Sequence, residues 1–131
     1  MNAIETGLYT ALNVAGVTTE LGGAYIYNQV APQGRARPYI IFQHTGGGHW
    51  NMTPSDIQGH VYLVKGVSEN QKQAGDIDDD IRGVLHNATL TIASYTNFDT
   101  QREEQVRFVE TLDSGRQVFH AGGYYRIRID A

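Results

Sequence analysis

The segment Val30 to Gln43, VAPQGRARPYIIFQ, places two of the chain's three prolines on either side of Gly34 and Arg35 and then runs into a compact apolar stretch. A residue before proline is pushed out of the helical region, so Arg37 enters PYIIFQ already extended. Pro32 and Pro38 also restrict the unfolded loop, which lowers the entropy lost when it orders. The apolar run Tyr39 to Phe42 reads as a strand covered on both faces and placed at the centre of a sheet.

The rest of the chain is ordered around that strand. Ile4, Leu8, Ala11, Leu12 and Ala15 fall on one helical face, with Glu5 near the positive end of the dipole and Gly16 as a stop. This predicts a helix over 3–15. A Gly-Gly break then precedes a short strand around Tyr25 to Tyr27. HTGGGHWNMTPSD, residues 44–56, has no periodicity and three consecutive glycines, and reads as a long flexible loop. IQGHVYLVKG follows with period-two alternation, predicting a hairpin with an oversized tip. Ser68 is an expected N-cap for a helix over 69–86, where Ala74, Ile77, Ile81, Val84 and Leu85 form an apolar stripe. LTIASYTNF, QVRFVETL and FHAGGYYRIRID are expected as three further strands, the last with Tyr125, Ile127 and Ile129 facing away from Tyr124, Arg126 and Arg128. The fold class is therefore α+β: an antiparallel β-sheet with two α-helices packed on it, in the order helix, strands, helix, strands. One domain over 1–131 is expected at this length.

Composition narrows the function. The chain has no cysteine, which excludes disulfides and thiolate metal sites and suits a reducing cytoplasm. The first residues lack the basic start and continuous apolar run of a signal peptide, and no stretch approaches the length of a membrane span. A formal net charge of -4, with ten scattered basic residues, argues against gripping nucleic acid through its phosphates.

No credible catalytic constellation emerges. Asp76, Asp78, Asp79 and Asp80 could hold a hard cation, but on a helix they spread over more than one side and read better as a solvated acidic face. His44, His49 and His60 could approach one another at the hairpin tip, yet none has the compact spacing of a zinc motif. GGGHW lacks the lysine and the helix of a phosphate loop and reads as a hinge. No serine lies in a nucleophile elbow, and there is no thiol. Neither a metal nor another cofactor is expected.

The assembled pattern resembles the tail-completion, or tail-terminator, proteins of long-tailed bacteriophages. The features that carry it are the helix IETGLYTALN, then YIYNQVAPQGRARPYIIFQ, the strand IQGHVYLVKG, the helix AGDIDDDIRGVLH and the closing YYRIRID. The most specific match is Tyr27, Ala31, Pro32, Gln33, Gly34, Pro38, Tyr39, Ile40, Ile41, Phe42 and Gln43. The glycine-rich stretch around Trp50 and the segment TLDSGRQVFHAGG fit less closely.

The resemblance implies structural work rather than catalysis. Six copies would close into a ring that caps the tail tube, stops its polymerisation and joins it to the head connector. The partners implied are other copies of the chain, the tail-tube protein and the head connector or stopper protein. DNA would pass through the channel without specific binding, and no membrane is involved. The implied location is the head-proximal end of the virion tail, after assembly in the host cytoplasm. Residues expected at the assembly interface are Arg35, Arg37, His49, Trp50, Met52, Arg116 and Phe119. Trp50 has two readings, a docking anchor or a lid over the core. A head-completion or neck protein, and more distantly a small metal-dependent enzyme, are the alternative functions.

Overall fold

The computed structural model describes residues 2–49 and 57–130. Helices α1 (Asn2–Leu12) and α2 (Ala15–Leu21) precede strands β1 (Ile26–Asn28), β2 (Tyr39–His49) and β3 (Ile57–Ser68). Helix α3 (Gln71–Leu85) and strands β4 (Thr96–Thr111) and β5 (Gln117–Asp130) complete the chain. The five strands form one sheet in the order β1-β2-β3-β5-β4. All neighbours are antiparallel except β1 and β2, which run parallel. The α+β expectation holds, with three helices instead of two.

All three helices pack on one face. Ile40, Phe42, Tyr62, Val64, Tyr125, Ile127 and Ile129 from that face share a single core with Ile4, Leu8, Leu12, Val17, Leu21, Ile77, Ile81 and Leu85 from the helices. The strand contribution follows from alternation: Tyr125, Ile127 and Ile129 are fully buried, while Tyr124, Arg126 and Arg128 point to the other side and keep partial exposure. The helix contribution follows from spacing, since Ala74, Ile77, Ile81 and Leu85 recur every three or four residues on α3. Contact is close enough that a Cβ at Gly66 would lie 2.5 Å from Ile77 Cγ2. Gly66 thus lets α3 lie against β3.

Several sequence expectations are corrected. The first helix ends at Leu12, and Gly16 lies inside a second helix instead of stopping the first. The break is at Val14, which is extended and immediately precedes α2. The stop falls at Gly22, whose φ of 80° closes α2 as its N–H and that of Gly23 return to the Thr18 carbonyl. PYIIFQ is not the central strand. β3 is central, and β1 covers the outer side of β2. Ser68 ends β3, and the N-cap of α3 is Asn70, whose side chain accepts from the Gln73 backbone N–H at 3.1 Å.

The glycine run is a further correction. Gly46, Gly47 and Gly48 belong to β2 and pair with Val61, His60 and Gly59 across a bulge at Thr45. They serve closeness rather than looseness, because a Cβ at Gly47 would meet the Gly59 carbonyl oxygen at 2.1 Å, and its φ is +101°. The remainder of the expected loop, 50–56, lies outside the described residues. LTIASYTNF and QVRFVETL do not form separate strands: β4 takes only the last three residues of the first, Thr96 to Phe98, and all of the second but Leu112.

Candidate assembly surface

The expected interface residues do not form one patch. β2 starts and β3 ends at the same end of the sheet, where Tyr39 pairs with Val67 and Ser68 pairs with Phe119. Arg37 enters β2 there through a cis bond to Pro38. Its Nη1 lies 3.4 Å from Glu69 Oε1, and the same oxygen lies 3.3 Å from Arg116 Nη1. One carboxylate thus holds two arginines that belong to different loops. Arg35 is also at this end, its guanidinium stacked 3.8 Å from the centre of the Tyr25 ring. Phe119 is half-buried beside Val109 on β4, its cross-strand partner. His49 belongs to the opposite end, where it pairs with Gln58. Trp50 and Met52 lie outside the described residues. The five candidates among the described residues therefore divide between the two ends of the strands.

A surface that sequence reasoning missed lies along β4. Arg102 pairs with Tyr125 and Glu104 with Tyr124, so Glu103 is an extra, bulged residue. Phe98 is extra in the same way, between Asn97 and Asp99. From Glu104 to Thr111 the ladder with β5 is uninterrupted, yet Val106 is the only residue of that stretch that is not exposed. Phe108 and Val109 keep 44% and 52% of their surface in solvent. No strand pairs with the outer side of β4 among the described residues. A run of exposed residues on both faces of one strand was the available signal, and the mixed order Val106, Arg107, Phe108, Val109 concealed it.

The sheet face opposite the helices carries Tyr39, Ile41, Leu63, Lys65, Phe108, His120 and Tyr124. Phe108 stacks on His120 with ring centres 4.2 Å apart, and the Lys65 ammonium sits 4.9 Å from the Phe108 ring. Burial lowers the pKa of Lys65, with Glu110 opposing the shift. Burial likewise lowers the pKa of His120, while its bond to Glu110 pulls upward.

The polar clusters are bound into the fold. His44 Nε2 and His60 Nδ1 are 3.1 Å apart, and His60 Nε2 is 2.9 Å from Gln58 Oε1, so the expected approach of His44 and His60 is real. The side chain of His49 lies outside the described part of the structure. Among the described residues no group of three or more histidine, aspartate or glutamate side chains could hold a metal ion. The acidic run on α3 is not wholly solvated, because Asp78 is buried against Arg102. A cavity of about 390 Å³ beside it is lined by Asp78, Asp79, Arg82, His86, Arg102 and Glu103 among others. Its deepest charges are committed: Arg102 takes Asp78 with two bonds, and its backbone N–H donates to His86 Nδ1 at 3.2 Å.

Comparison with known proteins agrees with this fold. Among solved structures, a chain from the virion of a native gene transfer agent particle superposes with a TM-score of 0.77 at 13% identity. The match covers 99% of this chain and 96% of that one, and shows a shared fold. No curated protein matches the chain. The family model described as tail completion protein gp17 matches residues 6–130, a span that takes in all five strands and all but the first turn of α1. The chain belongs to the tail completion protein gp17 family.

Proposed function

We propose that this structural virion protein is a tail terminator. Six copies close into a ring that sits on the last ring of the tail tube, stops its polymerisation and presents its other side to the head connector. The family match over 6–130 carries the reading. The fold supports it: the sheet keeps its helices on one face and has different surfaces at its two edges and two ends, as a subunit with several neighbours requires. Contacts between unlike patches generate rings when the rotation closes.

The two groups of candidate residues have separate roles in this scheme. Arg35, Arg37, Arg116 and Phe119 meet neighbours at one end, and His49, Trp50 and Met52 reach the docking partner at the other. A net charge of -4 suits a channel through which DNA slides without being held.

The test is an electron micrograph of particles assembled without the protein. Free heads together with overlong tail tubes are expected. Normal tails beside heads that leak DNA would instead assign the chain to head completion at the neck.

A further inference from the structure

We infer that the outer edge of β4 from Glu104 to Thr111 receives the Val30–Arg37 loop of a second copy of this chain. This rests on the ring reading above and names the contact that closes the ring.

The two surfaces lie at opposite edges of the sheet. β1 rises beside β2 from the level of Ile40 to that of Phe42, yet β2 begins at Tyr39. The connecting chain must therefore travel back past β1, and Arg35 stacked on Tyr25 marks its return. Among the described residues β1 is the outermost strand at one edge, with the start of the returning loop following it, and β4 is the outermost strand at the other. Four strand spacings separate them, about 19 Å.

Their chemistries are complementary. The loop VAPQGRAR contains two arginines and no acid; Arg37 is paired with Glu69 of its own chain, which leaves Arg35 as the loop's charge for a neighbour, and Val30 at its start is 74% exposed. The β4 stretch EQVRFVET contains Glu104 and Glu110 against one arginine, with Phe108 and Val109 exposed between them. A single chain therefore carries a basic, partly apolar surface on one edge and an acidic, partly apolar surface on the other. Like edges repel and unlike edges attract, which selects a head-to-tail contact over a twofold one. The unbulged, uncovered edge also needs a cover, because exposed strands of this kind pair with whatever chain they meet.

The absence of cysteine makes the contact directly testable. Particles are assembled with the double variant Val30→Cys and Val109→Cys and oxidised mildly, beside each single variant, after thermal melts have shown that all three fold. The expected result is a ladder of covalent multimers from the double variant, and no ladder from either single variant. Averaged images of the same particles distinguish loss of the ring from loss of this contact alone. Sixfold density at the tail end without a ladder leaves the ring and removes this contact, whereas neither ladder nor sixfold density removes both. Cross-links to a different virion protein would also overturn the inference, since that protein would then occupy the edge. In an otherwise native chain, Glu104→Arg is expected to cut particle yield at least tenfold, and adding Arg35→Glu to it is expected to restore most of the loss. Failure of the second change to rescue the first counts against the pairing of these edges.

Discussion

The Asp78 carboxylate on α3 receives both arms of the Arg102 guanidinium on β4, Nη1 to Oδ1 and Nη2 to Oδ2, each at 2.9 Å. Asp78 is 2% exposed, and a third bond runs from Arg102 Nη2 to the Gly122 carbonyl at 2.8 Å. Burial works against the charge on Arg102, but the bonds and charge of Asp78 outweigh it and raise the pKa of the guanidinium. The pair ties a helix to the strand that lies at the edge of the sheet. Nearby, the buried Tyr125 hydroxyl is pushed up to about 12, chiefly by desolvation.

Breaking that pair from one side strands a buried charge. Asp78→Ala is expected to destabilise the fold by about 3–5 kcal/mol, and Arg102→Ala by a similar amount. Replacing both by leucine is expected to cost clearly less than the two single losses added together, because no charge is left unpaired. Denaturant unfolding of the four chains measures this. A double variant as damaged as the sum would show that the pair has no coupling.

The glycine run yields a position-specific prediction. Gly46 has open space around its missing Cβ and no positive φ, so Gly46→Ala is expected to be neutral or to stabilise by about 0.4–1 kcal/mol through the unfolded state. Gly47→Ala must displace the Gly59 carbonyl and hold a positive φ, and is expected to cost at least about 1–3 kcal/mol. Thermal melts of the two variants decide between a ladder and a hinge. In a hinge both changes would behave alike.

How legible these features were depended on whether a local period carried them. The stripe Ala74, Ile77, Ile81 and Leu85 and the alternation Tyr125, Ile127 and Ile129 repeat along one element, and both were read correctly. Asp78 was misread because its identity as a solvated residue is overturned by Arg102, which is distant in sequence and invisible to any period. β4 was divided because the bulges at Phe98 and Glu103 each shift the phase of alternation, so one strand looks like two. The glycines were misread because the same residue that frees a backbone also permits two backbones to touch, and only the neighbouring strand shows which is in force. Among the candidate interface residues, the shared grip of Glu69 on Arg37 and Arg116 depends on three separate connections meeting at one end of the sheet.

Acid is expected to weaken the fold through His120. Its folded pKa lies below the ordinary 6.5, with burial the largest cause and Lys65 and Arg37 acting in the same direction against Glu110. Between the two values the unfolded chain binds a proton that the folded chain refuses, so stability rises with pH across that window. The contribution is whole above about 6.5 and is lost as pH falls through the lowered folded value. The fall in melting temperature between about pH 7.5 and about pH 5.5 is expected to be smaller in His120→Gln than in the parent. An unchanged fall would assign the effect to other groups.

The last prediction concerns Trp50, which falls in sequence between β2 and β3 and lies outside the described residues. The ladder of that hairpin closes with the pair His49 and Gln58, so it fixes where the connecting chain leaves and returns. On the docking reading, Trp50 anchors the connection to the partner at that end of the sheet, as large apolar side chains do at the centres of interfaces. Trp50→Ala is then expected to leave the melting temperature nearly unchanged and to abolish capping, giving tubes of uncontrolled length. As a lid over the core, the same residue would cost about 3–5 kcal/mol on truncation while the surviving folded protein still capped tubes. Melting temperature and tube length, measured on the same variant, move in opposite combinations under the two readings. A large drop in the first with normal values of the second removes Trp50 from the docking surface.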